Sequence, residues 1–139
     1  MKSSGWIILL FCFACSSGPK VPVVHISLVN NNRSVKFSGL DGAILGEIGR
    51  DSAQATWQYL IPVFRMPADT DLKNYQHAQP GIYQLKDSIV VFTPDTPFTP
   101  GKTYFLRYYQ FGRGQSALDL IKGTSKPGTI HHVDLVFKQ

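Results

Sequence analysis

Two adjacent histidines and an aspartate near the end of the chain, His131, His132 and Asp134, are the residues whose types could do chemistry. Imidazole and carboxylate groups bind metal ions, and a bound metal can activate water for hydrolysis. On a strand, however, His132 and Asp134 share one face and His131 points to the other. A zinc site needs three or four ligands, so His25 or His77 would have to complete the set. We therefore expect a polar strand face here, and we keep a small metal-dependent hydrolase as the alternative function.

The rest of the chain gives little support for an enzyme. It contains no nucleophile elbow, phosphate-binding loop or metalloprotease helix. Glu47 is its single glutamate, so a pair of catalytic carboxylates would have to use aspartates scattered in turn-like segments. We predict that the protein is not an enzyme and needs no cofactor and no metal.

Length and composition indicate one folded domain. The 139 residues are 43% hydrophobic, 12% aromatic and 17% charged, which favours a globular chain over a disordered one. The net charge is +5, but the 14 lysines and arginines are scattered along the chain. A nucleic-acid interface usually concentrates such residues in a stripe or patch. We therefore expect no nucleic-acid partner.

The N-terminal segment has the layout of an export signal. Lys2 supplies a positive charge, and an unbroken apolar stretch follows from Trp6 to Ala14. This stretch is far shorter than the ~20 apolar residues that a membrane-spanning helix needs. Signal length and charge therefore predict export rather than a transmembrane anchor.

The residues around Cys15 resemble a bacterial lipoprotein signal. In that family a small residue precedes an obligatory cysteine, whose thiol is acylated before the signal is removed, and a flexible tether follows. Ala14 and residues 16–18 (Ser-Ser-Gly) match this pattern, whereas Cys12 stands where the family favours Leu. The alternative is an ordinary cleaved signal that leaves a soluble protein.

The resemblance implies three regions: a signal over residues 1–14, a lipidated tether over residues 15–21 and a folded domain over residues 22–139. Cys15 would carry the lipid and anchor the exported protein to the bacterial cell envelope, at the outer membrane. Cys12 would leave with the signal, so the domain would hold neither a disulfide nor a thiolate metal site.

Seven short segments of the domain have strand-like patterns, separated by turn residues. They span residues 23–28, 34–37, 56–66, 81–85, 88–93, 103–111 and 129–138. Short helical turns are predicted over residues 50–55, within the loop of residues 66–80 from Asp69 or Thr70, and at the "ALDLI" of residues 117–121. This pattern predicts an all-β fold.

The stretch of residues 56–66 fits two periodicities. Trp57, Leu60, Ile61 and Phe64 fall at helical spacing, whereas alternate residues from Trp57 would share the face of a strand. Pro62 would cost a helix interior about 3 kcal/mol, and an edge strand tolerates it. The strand is therefore the favoured prediction.

The most specific motif lies in residues 90–108, "VVFTPDTPFTPGKTYFLRY". It resembles the corner before the penultimate strand of fibronectin type III and bacterial immunoglobulin-like domains. The resemblance implies an Ig-like or fibronectin-like β-sandwich of about seven strands, with Trp57 as the buried tryptophan of its central strand. An unrelated β-hairpin with a proline-rich loop is the alternative. The structural corner would consist of Phe98, Pro100, Gly101 and Tyr104.

The predicted strand over residues 103–111 suggests a contact surface. The face that holds Tyr104 is expected to join the core. The opposite face supplies aromatic rings and arginines, which are common in binding hot spots. The candidate partner-contact residues are Arg107, Tyr109, Phe111 and Arg113.

This face could instead be covered by residues 66–80 or by residues 117–121. With the face open, the sequence predicts a lipid-anchored envelope module without catalytic activity, which binds an envelope protein or a glycan. A purely structural subunit of an envelope complex remains a third possibility.

Overall fold

The computed structural model describes residues 23–50, 53–111, 115–126 and 128–139. The predicted signal, tether and lipidated Cys15 lie outside these residues. The described chain is mostly β, as predicted, with seven strands in two antiparallel sheets and a few short helices. In chain order the strands are β1 (His25–Val29), β2 (Ser34–Ser38), β3 (Val63–Arg65), β4 (Gly81–Lys86), β5 (Ile89–Pro94), β6 (Thr103–Gln110) and β7 (His131–Lys138). The helices are α1 (Gly42–Arg50), α2 (Gln54–Leu60), a 3₁₀ helix (Thr70–Tyr75) and α3 (Ala117–Ile121).

The two sheets share one hydrophobic core. The four-stranded sheet has the order β1-β2-β5-β4, and the three-stranded sheet has the order β3-β6-β7. Strands β2 and β5 alternate, so that Val35, Phe37, Val90 and Phe92 are buried. Leu106 of β6 belongs to the same buried cluster from the other sheet. Packing of these inner faces holds the sheets together.

Two tight turns fix the register of the four-stranded sheet. Asn30, Asn31 and Asn32 all have positive φ, between 54° and 62°, in the turn from β1 to β2. Asp87 and Ser88 have φ of 50° and 62° between β4 and β5. Short polar side chains, Asn and Asp above all, tolerate this left-handed region, and such turns suit the twist of a hairpin.

The predicted strand over residues 56–66 is wrong in its first half. Residues 54–60 form α2, and only Val63–Arg65 pair as a strand. Trp57 and Leu60 are buried at helical spacing, and Pro62 does not oppose the helix because it follows the last helical turn. Trp57 is therefore a helix residue and not the tryptophan of a central strand. Its ring lies 5.8 Å from that of Tyr83.

Helix α1 was not predicted, because its glycines at 42, 46 and 49 weaken the helical signal. Two features stabilise it nevertheless. The N–H of Ala43 donates to the Asp41 carboxylate at 2.7 Å, as at a helix N-cap. Ile44 and Ile48, one turn apart, bury their side chains in the core.

The helical turns predicted within residues 66–80 and at residues 117–121 are confirmed. The 3₁₀ helix begins after Asp69, whose carboxylate accepts a hydrogen bond from the N–H of Asp71. Helix α3 begins after Ser116, which forms a capping box with Asp119.

The loop between β5 and β6 is packed against the core from one end. Pro100 and Gly101 occupy the centre of a turn in which Lys102 N–H donates to the Thr99 carbonyl at 3.1 Å, and Gly101 has a φ of 75°. Phe98 is buried, with its ring 4.7 Å from that of Tyr104. The buried Tyr104 hydroxyl accepts a hydrogen bond from the N–H of Thr99 at 2.9 Å.

We predict that Tyr104→Phe destabilises the domain by about 1 kcal/mol, because the N–H of Thr99 loses its acceptor while the ring stays in place. Urea unfolding measures this change. Tyr59→Phe is the control, since Tyr59 is exposed and no described residue hydrogen-bonds its hydroxyl. Equal stabilities of Tyr104→Phe and the parent protein would contradict the proposed role of the corner hydrogen bond.

Candidate functional site

The pairing of β6 with β7 and β3 gathers polar and aromatic side chains on the side of the three-stranded sheet away from the core. Tyr104, Leu106 and Tyr108 of β6 are buried in the core. The alternate residues of β6 therefore point to the other side. We call this side the outer face; it is formed by Phe64 of β3, Phe105, Arg107 and Tyr109 of β6, and His132 and Asp134 of β7.

Part of the outer face is covered by the 3₁₀ helix. Lys73 Nζ lies 2.8 Å from Asp134 Oδ2 and 4.7 Å from the centroid of the Phe105 ring. Asn74 Oδ1 accepts a hydrogen bond from Arg107 Nη2 at 2.9 Å. Phe105 is fully buried. Coverage by residues 66–80, the alternative considered from the sequence, therefore applies to Phe105 and to much of Arg107.

Asp134 is the centre of an ion cluster with Arg107 and Lys73. The Arg107 guanidinium binds the carboxylate with two hydrogen bonds, from Nε to Oδ1 at 2.9 Å and from Nη2 to Oδ2 at 3.0 Å. The exposed fractions of the Arg107 and Asp134 side chains are only 11% and 12%. Such two-bond pairs fix orientation as well as adding energy.

The ion cluster sets the protonation of its members. Burial raises the pKa of Asp134, but the hydrogen bonds and charges of Arg107 and Lys73 outweigh it, and the net pKa lies below the ordinary value. The hydrogen bond to Asp134 raises the pKa of Arg107. Burial, with the nearby Arg107 charge, lowers the pKa of His132. At neutral pH the cluster therefore holds one carboxylate and two cations beside an uncharged imidazole.

The partners of Asp134 and His132 argue against the metal-binding alternative. The Asp134 carboxylate already accepts hydrogen bonds and charge from two cations. The His132 ring lies against Tyr109, with 6.1 Å between the ring centroids. Within the described residues, no three His, Cys, Asp or Glu side chains come together as metal ligands would.

A pocket of about 480 Å³ adjoins the uncovered end of the outer face. It is an open depression bordered by α2, the start of β3, the end of β6 and the segment after the 3₁₀ helix. Its lining residues are Ala55, Gln58, Tyr59, Pro62, Phe64, His77, Ala78 and Tyr109. The pocket thus combines aromatic rings with amide, imidazole and hydroxyl groups.

The four candidate contact residues have different surroundings. Arg107 and Tyr109 lie on the outer face, but only Tyr109 also lines the pocket. Phe111 follows the end of β6, is half-buried and packs against the core. Arg113 lies outside the described residues.

Sequence reasoning missed the pocket residues Tyr59 and Phe64, and it considered His77 only as a possible metal ligand. With residues 56–66 taken as one strand, Tyr59 shares the face of Trp57 and counts as core. On α2 the two residues separate, so that Trp57 is buried and Tyr59 is 60% exposed. The helical reading of residues 54–60 was the signal that could have identified Tyr59.

Comparison with protein families, with curated proteins and with solved structures gives no match for this chain. In the described part of the chain, no helix combines the length and the apolar character needed to cross a membrane.

We predict that Asp134→Asn lowers the free energy of unfolding by about 1 to 3 kcal/mol at pH 7, because two partly buried cations lose their shared partner. Urea unfolding at several pH values measures this. Because the folded-state pKa of Asp134 lies below its ordinary value of 3.8, the parent protein's advantage should be fully present at pH 7 and constant from there to pH 8. It should shrink as the pH falls below about 4 and the carboxylate is protonated.

Glu47→Gln is the matched control. It breaks an ion pair of 2.9 Å with Arg50, whose side chain is 71% exposed, and should change stability by less than about 0.5 kcal/mol. If both variants changed the free energy of unfolding equally, the ion cluster would stabilise the fold no more than the pair of Glu47 and Arg50 does, which would contradict this account.

Proposed function

We propose that this protein is a non-catalytic binding module with an immunoglobulin-like sandwich, held at the bacterial cell envelope by a lipid on Cys15. Its partner, an envelope protein or glycan, contacts the uncovered end of the outer face at Tyr109 and the adjoining pocket. The observation that carries this proposal is the pocket itself, where the exposed Tyr59 and the half-buried Phe64 and Tyr109 meet polar groups that no described residue hydrogen-bonds.

The order of the strands supports the immunoglobulin-like assignment. Constant-type immunoglobulin domains place strands A, B, E and D in one sheet and C, F and G in the other. With β1 to β7 taken as A to G, the two observed sheets have that order. The buried Tyr104 near the start of β6, hydrogen-bonded to the preceding loop, agrees with the tyrosine corner of this fold.

The proposed contact surface includes fewer of the residues of β6 than the sequence alone predicted. Arg107 is hydrogen-bonded to Asp134 and Asn74, so its role is to hold the outer face in place. Tyr109 remains available at the pocket, and Tyr59 of α2 adds a second, more exposed tyrosine. Tyrosine is among the residues that contribute most to binding energy at interfaces.

The proposed lipid anchor is supported by the resemblance of the residues around Cys15 to a lipoprotein signal. An attached acyl chain contributes ~0.8 kcal/mol to the free energy of membrane binding for each buried CH₂ group. Two or more such chains give stable membrane attachment. The binding face would then work at the membrane surface without a protein segment that spans it.

Mass spectrometry of the protein from the membrane fraction tests the anchor. The mature chain should begin at Cys15 and carry the mass of attached acyl chains. Cys15→Ser should abolish both, whereas the control Cys12→Leu should leave lipidation intact, because Leu is the residue that the family favours at that position. A free Cys15 thiol in the mature protein would contradict the anchor.

Retention of solubilised envelope material on the immobilised domain tests the contact surface. We expect the double variant Tyr59→Ala with Tyr109→Ala to lower retention about tenfold or more, since both pocket tyrosines are lost. The matched control is Tyr75→Ala, because Tyr75 is 78% exposed but does not line the pocket. Undiminished retention by the double variant would contradict this surface.

A further inference from the structure

We propose that the ligand of the pocket is an uncharged sugar ring of a glycan, stacked on Tyr59, Phe64 and Tyr109 and hydrogen-bonded by Gln58 and His77. This inference rests on the proposed binding function and narrows its ligand to one chemical class. The pocket volume of about 480 Å³ lies within the range of small-ligand sites.

The aromatic rings of the pocket provide a stacking surface for one face of a sugar ring. A sugar ring presents a flat array of C–H groups, which packs on the electron-rich face of an aromatic ring. Phe64 is held by Phe105, with ring centroids 5.0 Å apart and planes 21° from parallel. Tyr109 is held by the edge contact with His132. Rings fixed before the ligand arrives lose little conformational freedom on binding.

The polar groups of the pocket suit the hydroxyl rim of a sugar. The side chains of Gln58, Tyr59, His77 and Tyr109 have no hydrogen bond to another described residue. An amide, an imidazole and two phenol groups together donate and accept, as a series of hydroxyls requires.

The charges around the pocket favour an uncharged ligand. None of the lining residues is Asp, Glu, Lys or Arg. The nearby cations Arg107 and Lys73 are engaged with Asp134. Phosphate and carboxylate ligands are bound most strongly by Arg and Lys, and the described lining contains neither.

The edge of β3 argues against a peptide that binds as an added strand. That mode requires free main-chain groups along a sheet edge. Here Phe64 forms a bridge with Ala78, and Gln79 N–H donates to the Val63 carbonyl at 2.7 Å. The segment after the 3₁₀ helix thus occupies the edge beside the pocket, and recognition is left to side chains.

Amide NMR titration of the folded domain with four neutral tetrasaccharides tests this inference: cellotetraose, laminaritetraose, maltotetraose and N-acetylchitotetraose. We expect at least one to give saturable shifts at Gln58, Tyr59, Phe64, His77 and Tyr109. Tetragalacturonate, the acidic probe, should not bind.

Three variants separate stacking from incidental contact. Tyr59→Ala and Tyr109→Ala should each weaken binding about tenfold, because each removes a stacking ring. Tyr75→Ala, which removes an exposed tyrosine outside the pocket, should leave binding unchanged. Their spectra report folding independently, so a loss of structure is not mistaken for a loss of binding.

Absence of saturable shifts with all four neutral probes, shifts that map elsewhere, or binding of the acidic probe alone would overturn the inference. If envelope retention still depends on Tyr59 and Tyr109 in that case, the proposed function stands with a different ligand class. If retention is also independent of these tyrosines, both proposals fail.

Discussion

The shared carboxylate of Asp134 is the contact on which the arrangement of the outer face depends. It binds both Arg107 on the neighbouring strand and Lys73 on the 3₁₀ helix. Lys73 lies 61 residues before Asp134 in the chain. In this way one side chain on β7 ties residues 70–75 down over the sheet. Phe105 is buried beneath this attachment, while Tyr109 at the other end of β6 stays accessible to the pocket. The ion cluster thus divides the face into a covered part and a part that can bind.

Both sheets also have edges that are closed to further strands. In edge strand β4, the side-chain amide of Gln54 accepts a hydrogen bond from Tyr83 N–H at 2.6 Å and donates to the Tyr83 carbonyl at 3.2 Å. It thereby takes the place of a neighbouring strand, which limits unwanted pairing. At β3 the segment around Ala78 does the same. Helix α2 supplies Gln54 to the edge of β4, and Gln58 and Tyr59 to the pocket, so it both closes an edge and builds the pocket.

Local patterns predicted the strands but not the way distant segments meet. Alternation and turn residues identified β4 to β7 within two residues at each end, because these signals lie inside each element. The strand predicted over residues 56–66 is wrong in its first half, because the apolar residues fit both periods and Pro62, which follows the end of α2, counted against a helix. Arg107 and Tyr109 were found by alternation. Their different environments follow from contacts with residues 73–78, and only the folded chain reveals that neighbourhood.

The claim that Asp134 holds the 3₁₀ helix against the sheet can be tested by amide hydrogen exchange. Two N–H groups report on the covering segment, residues 69–79. Leu72 N–H donates to Asp69 O at 3.1 Å inside the segment, and Gln79 N–H donates to Val63 O of β3 at 2.7 Å. In Asp134→Asn we expect their protection to fall well below that of the core amides of β2 and β5, because the segment opens without unfolding the domain. If Leu72 and Gln79 kept the same protection relative to those core amides as in the parent protein, the ion cluster would not be what holds the covering segment in place.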